Sequence, residues 1–305
     1  MREKANKGLL DWIQGLRLIG IITIVAGHAG LNLVGGGNWC TFFFLVSGFL
    51  YKTNISNWQD YKQYISHKFQ TVFPVYWFCL GAYLLLALVR GCEEQYSIDW
   101  DFPFYLFLVQ TWIPCLESMK YLGPSWFLSS LLFCYLLSPI VKIIISRKLS
   151  IVLLILVIVT WHFLGGDTYI SPFYRILEYA FGMWLSNTIC SKRCLIEPFP
   201  GLVLFIVSFI LLIFHFGVPG WSNIIIFAFL LCVLYIYNSR IIRLVLGNRF
   251  VVSLSKSNMF IYLTHSGIGF HIAYYFISTN PYAATLISVI VGYVMFWGYS
   301  NFLKS

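Results

Sequence analysis

Apolar residues in this chain gather into long runs separated by short polar breaks, near 12–31, 38–51, 72–90, 123–145, 149–165, 172–190, 199–216, 220–237, 256–274 and 282–303. Most approach the roughly 20 residues that an α-helix needs to cross a hydrocarbon core about 30 Å thick. In lipid the backbone must satisfy its own hydrogen bonds, and a helix does so within each segment. The pattern predicts an all-α fold, a polytopic transmembrane helical bundle of about ten spans. No internal repeat, low-complexity tract or linker divides it, so residues 1–305 are expected to form one integral-membrane domain.

Composition agrees with that class. The chain is 59% hydrophobic and only 10% charged, too little charge to cover a soluble globule. The net charge of +9 is spread over short loops rather than gathered into a patch, which implies no nucleic-acid partner and points to membrane topology. With the N-terminus cytoplasmic, one set of connections carries Arg2, Lys4, Lys7, Lys52, Lys62, Lys68, Lys142, Arg147, Lys148, Lys192, Arg193, the later basic loop from Arg240 to Lys256, and Lys304. The opposite set carries Glu93, Glu94, Asp99, Asp101, Glu117 and Asp167, with only Arg90, Lys120 and Arg175 as cations. An even number of spans with both termini cytoplasmic keeps the late basic loop on the cytoplasmic side. The first span is expected to be retained rather than cleaved, because Arg17 lies within its apolar run.

The longest external connection, 91–122, holds its own apolar stretch at 102–114, bounded by Pro103 and Pro114. It is short for a span and is expected to form an interfacial or re-entrant helix over the mouth of the bundle. Most cysteines, among them Cys40, Cys79, Cys134, Cys190 and Cys232, fall in apolar runs and read as small hydrophobes. Cys92 and Cys115 share the external loop, where an oxidising compartment permits a bridge. No ligand cluster suggests a metal, and none is expected.

The candidate chemistry lies in the first span. Arg17 and His28 are eleven positions apart, which on a helix puts both on one face, ~16 Å apart along the axis. A cation and an imidazole at membrane depth are costly, and such residues mark function by default. The alternatives for each are a His satisfied by a neighbouring backbone group, and an Arg that snorkels to the interface or pairs with Asp11 or Glu178.

This Arg and His resemble the opening signature of the acyltransferase 3 family of integral-membrane acyltransferases. Four later strings agree in order: TFFFLVSGFL at 41–50, which contains Ser47; FPVYW at 73–77, with Tyr76; PSWFLSSLLF at 124–133, with Trp126; and MFIYLTHSG at 259–267, with His265. Two positions depart from the pattern. Thr71 stands where relatives commonly have Arg, with Lys68 one turn earlier, and Thr41 where many have an acidic residue.

The resemblance implies transfer of an acyl group, usually acetyl from cytoplasmic acetyl-CoA, to a hydroxyl of a cell-envelope polysaccharide or lipid-linked sugar, at the bacterial inner membrane. Acyl-CoA is then a donor substrate and no cofactor is permanently bound. A sugar hydroxyl needs its proton removed as the tetrahedral intermediate forms, and His28 suits that role as general base, or as a nucleophile that briefly carries the acyl group. Arg17, nearer the cytoplasmic end, suits the phosphates or pantetheine of the donor. Ser47, Tyr76, Trp126 and His265 are the candidate donor or acceptor pocket. His265 reads as a second proton carrier or acceptor-orienting group, Ser47 also as a small packing residue, and Trp126 also as an interfacial anchor. Arg175 and Glu178, three apart, are expected to form a structural ion pair. The competing function is a multi-span transporter or flippase for a lipid-linked glycan. A non-catalytic scaffold would leave the cost of Arg17 and His28 unexplained.

Overall fold

The computed structural model describes residues 2–31, 38–51, 55–91, 98–146 apart from 114, 115 and 118, 169–189, and 244–303 apart from 278, with single positions at 203, 206, 210, 226, 227 and 230. The expected bridge between Cys92 and Cys115, and the expected spans at 149–165, 199–216 and 220–237, lie largely or wholly outside these residues. Among the described residues the structure is helical, with no strand.

In chain order the helices are α1 (Arg2–His28), α2 (Trp39–Phe49), α3 (Trp58–Val89), α4 (Phe102–Leu106), α5 (Ser125–Ser146), α6 (Pro172–Ile189), α7 (Arg249–Ser255), α8 (Asn258–Thr264), α9 (Phe270–Phe276) and α10 (Pro281–Phe302). A π-helical turn, His265–Gly269, joins α8 to α9 without a break. Helices α3, α5 and α10 are long and apolar enough to cross a membrane. By contrast α2, at 11 residues, reaches only ~16 Å and is too short to cross by itself. The chain divides into two compact units, Met1–Phe43 with Asn187–Ser305, and Phe44–Ser186.

In the first unit α1 packs on α7, α8 and α10, and the α8–π–α9 run lies along α10. Asn280 starts α10, its side-chain oxygen accepting from the N–H of Tyr282 at 2.9 Å, with Pro281 at the first helical position where a missing N–H costs nothing. Gly269 lets the π turn approach α10: a Cβ there would lie 2.7 Å from Ser288 Oγ. Small residues serve such contacts because lipid offers no hydrophobic drive for helix pairing, so close backbone packing must supply it.

In the second unit α2 and α6 meet through reciprocal glycines. A Cβ on Gly48 would overlap the Tyr179 carbonyl oxygen, and one on Gly182 would overlap that of Leu45. Helix α3 begins well before its apolar part, because Asn57 caps it by accepting from the N–H of Asp60 at 2.9 Å, while Ser56 N–H donates to the Asp60 carboxylate at 2.9 Å. The segment expected as an interfacial helix folds as two short pieces, α4 and a 3-10 turn at Gln110–Trp112, with Leu108 between them at φ 55°. A charge clasp ties its start to its end: Lys120 Nζ lies 2.5 Å from Asp99 and 3.2 Å from Asp101. The Asp99 hydrogen bond pushes the Lys120 pKa above its ordinary value, so its ammonium stays charged.

Candidate functional site

Helix α1 stops at His28. Gly30 takes φ 90°, Gly30 N–H donates to Gly27 O at 3.1 Å, and Leu31 N–H donates to Ala26 O at 2.8 Å, the paired bonds of a Schellman cap. Glycine makes that left-handed residue inexpensive, and the cap leaves His28 as the last residue of the helix. The small-residue string AGHAG is thus a helix terminus. The carbonyl end of α1 carries partial negative charge, which favours a cation placed there.

From the other side comes His265, fully buried at the first position of the π turn. Its Nε2 lies 2.7 Å from Nδ1 of His28, across 237 positions of sequence. The ring planes differ by 4° with centroids 4.9 Å apart, a separation that so short an N···N contact fits when the rings meet edge to edge. The other nitrogen of His265, Nδ1, lies 2.5 Å from the backbone oxygen of Tyr262.

These contacts fix the protons. A carbonyl oxygen only accepts, so His265 Nδ1 carries the hydrogen, and in the neutral ring its Nε2 must accept. His28 Nδ1 is then the donor, and His28 Nε2 keeps its lone pair. No described residue hydrogen-bonds His28 Nε2, and His28 is exposed while His265 is not. An oriented imidazole with one available basic nitrogen, backed by a buried acceptor, is a general-base arrangement.

Arg17 lies three turns earlier on the same uninterrupted helix, half-buried, with its guanidinium carbon 5.9 Å from the Phe43 ring centroid. In the second unit the Arg175 Nη1 lies 2.7 and 2.9 Å from the two carboxylate oxygens of Glu178. That buried pair was legible from its spacing in the sequence.

Ser47, Tyr76 and Trp126 belong to the second unit. Ser47 is half-buried beside the Gly48 crossing. Tyr76 is fully buried, and its hydroxyl donates to the Tyr105 carbonyl at 2.7 Å, tying α3 to α4. Trp126 is buried as well and walls a box around the Arg175 guanidinium, 5.5 Å from it, with Tyr169 at 4.8 Å and Phe44 at 5.4 Å. At the departing position, the Thr71 hydroxyl donates to the His67 carbonyl at 2.7 Å, while Lys68 Nζ sits over the Tyr135 ring at 4.5 Å. Among the described residues no three His, Cys, Asp or Glu side chains gather as metal ligands.

Sequence reasoning named both histidines but not their contact, the π turn or the role of the Tyr262 carbonyl. The available signal was HSGIG itself, two glycines within the four residues after a His in an apolar run. Wide turns of this kind are frequent at functional sites.

Neither the curated proteins nor the solved structures offer a match to this chain. The family comparison does: residues 10–299 match the acyltransferase domain of the acyltransferase 3 family, so the match takes in the part of α1 that carries Arg17 and His28, the π turn and nearly all of α10. With nearly the whole chain accounted for by one family of enzymes, this protein belongs to the acyltransferase 3 family and is an integral-membrane acyltransferase.

Proposed function

We propose that the protein is an O-acyltransferase, in the first place an O-acetyltransferase, which moves an acyl group from cytoplasmic acyl-CoA to a hydroxyl of an envelope polysaccharide or lipid-linked sugar. On this reading it sits in the bacterial inner membrane with both termini cytoplasmic and about ten apolar segments in the bundle, the short α2 among them. The observation that carries it is the Tyr262–His265–His28 chain of contacts, which leaves His28 one basic nitrogen, Nε2.

His28 Nε2 takes the proton of the acceptor hydroxyl as the oxygen attacks the thioester carbonyl. Collapse of the tetrahedral intermediate breaks the C–S bond, and the departing thiolate takes that same proton from Nε2. His265 orients the ring and steadies the imidazolium between the two transfers, acting as a positioning residue. Arg17 holds the anionic part of the donor, because a guanidinium keeps its charge at any working pH and binds phosphate with two parallel donors.

The test is to incubate the purified protein in detergent with acetyl-CoA labelled in the acetyl group and candidate glycans. Label is expected on a glycan oxygen, and His28→Ala is expected to abolish transfer while inserting and purifying as the parent protein does. A carrier would leave the label on CoA. Substantial residual transfer by His28→Ala would remove the residue from the mechanism.

A further inference from the structure

The π turn sets the direction of the helix that follows it. On an α-helix, a residue five positions on points well away from the first, since five steps of about 100° leave the two roughly 140° apart. An i→i+5 turn brings them back toward one side. Here the N–H of Phe270 closes that turn on the carbonyl of His265, and the Phe270 ring meets the His265 ring edge-on, at 5.6 Å and 88°. The wide turn is therefore what connects the dyad to the helix beyond it.

From Phe270 the contact continues along α9. Phe270 stacks on Tyr274 at 5.7 Å, and beside that pair His271 stacks on Tyr275 at 6.2 Å, with planes 18° apart. Ser266, Phe270, His271, Tyr274 and Tyr275 together line a groove of about 460 Å³, a size suited to a small molecule. Phe270 is buried at the dyad end, while Tyr275 is 74% exposed at the other. Membrane-interface anchoring accounts for exposed tyrosines at a span end. It does not account for an imidazole and a serine hydroxyl beside them, leading to His265.

Charge separates the two substrates. From Ser257 to Leu303 the sequence contains no Asp, Glu, Lys or Arg, so the groove offers no fixed cation to a phosphorylated nucleotide. It offers aromatic faces, two phenol hydroxyls, a serine hydroxyl and an imidazole. An uncharged pyranose has the complementary surface: apolar C–H faces for the rings and a rim of hydroxyls for the polar groups.

Resting on the acyl-transfer reading above, we infer that the Ser266–Tyr275 groove is the acceptor subsite, which takes an uncharged pyranose ring and presents one of its hydroxyls to the dyad, while the donor approaches from elsewhere.

Binding and turnover test this separately. Saturation-transfer NMR on the purified protein, without acyl-CoA, reads contact with a panel of neutral methyl glycosides (glucoside, galactoside, N-acetylglucosaminide) and with a methyl glucuronide as the charged control. At least one neutral glycoside is expected to show ring-proton saturation, and the glucuronide much less. Tyr274→Ala with Tyr275→Ala is expected to weaken the neutral signal roughly tenfold, as loss of aromatic contact does, with the Phe double variant restoring the stacking part. His28→Ala is expected to keep the binding. Where transfer is measurable, the Ala double variant raises KM for the glycoside and leaves that for acetyl-CoA in place. Equal saturation in parent and Ala double variant, or no neutral glycoside bound at all, overturns the groove and leaves it a lipid-facing aromatic surface. Binding that survives while no acyl transfer is ever seen overturns the function and keeps the groove.

Discussion

Replacing His265 by Gln keeps an acceptor oxygen near His28 Nδ1, whereas His265→Phe keeps the bulk and removes the acceptor. The Gln variant is therefore expected to retain part of kcat and the Phe variant to lose about 10²-fold or more, the scale of general acid–base catalysis. The readout that a merely structural role would not move is the pH profile. Activity of the parent falls as pH drops, because a protonated His28 Nε2 has no lone pair, and the midpoint of that fall should shift in the Phe variant more than in the Gln variant. Identical profiles in all three would make His265 a packing residue. Arg17→Ala is expected to raise KM for acyl-CoA with kcat less affected, since a donor contact made equally in ground and transition states appears in KM. An unchanged donor dependence would leave Arg17 as an anchor over Phe43.

At the scale of elements, the second unit depends on how closely α2 and α6 approach. Gly182→Ala adds one methyl against the Leu45 carbonyl, and no flexible side chain is there to yield. The backbones must part, so the variant is expected to lose about 1–3 kcal/mol, the range for overpacking, read as a lower melting temperature in detergent. Unaltered melting would mean that the crossing is looser than described. Element types were legible in the sequence where apolar runs were long, as for α3, α5 and α10. The first four turns of α3 were not, because residues 58–71 carry a mixed polar pattern, and what fixes their start is the Asn57 cap. Nor was the break inside 102–112, which turns on the single residue Leu108 in a left-handed conformation. The contact between His28 and His265 joins residues whose separation bears no relation to a helical period, so only the packing of α1 on the π turn reveals it.

For the molecule as a whole, the asymmetry of charge predicts sidedness. In a variant lacking its native cysteines, Met119→Cys, beside the Lys120 clasp, should react with a membrane-impermeant maleimide in intact cells. Phe250→Cys, also exposed and next to Arg249, should react only after permeabilisation. The opposite pattern would invert the topology. The Tyr262 carbonyl has a wider consequence on the acyl-transfer reading. By holding one hydrogen in place it leaves the histidine pair no route for passing a proton through His265 into the protein, so a proton taken from the alcohol leaves by the exposed side of His28. Relay through the buried side of the pair is thereby closed, and the exposed nitrogen of His28 is the port through which the pair exchanges protons.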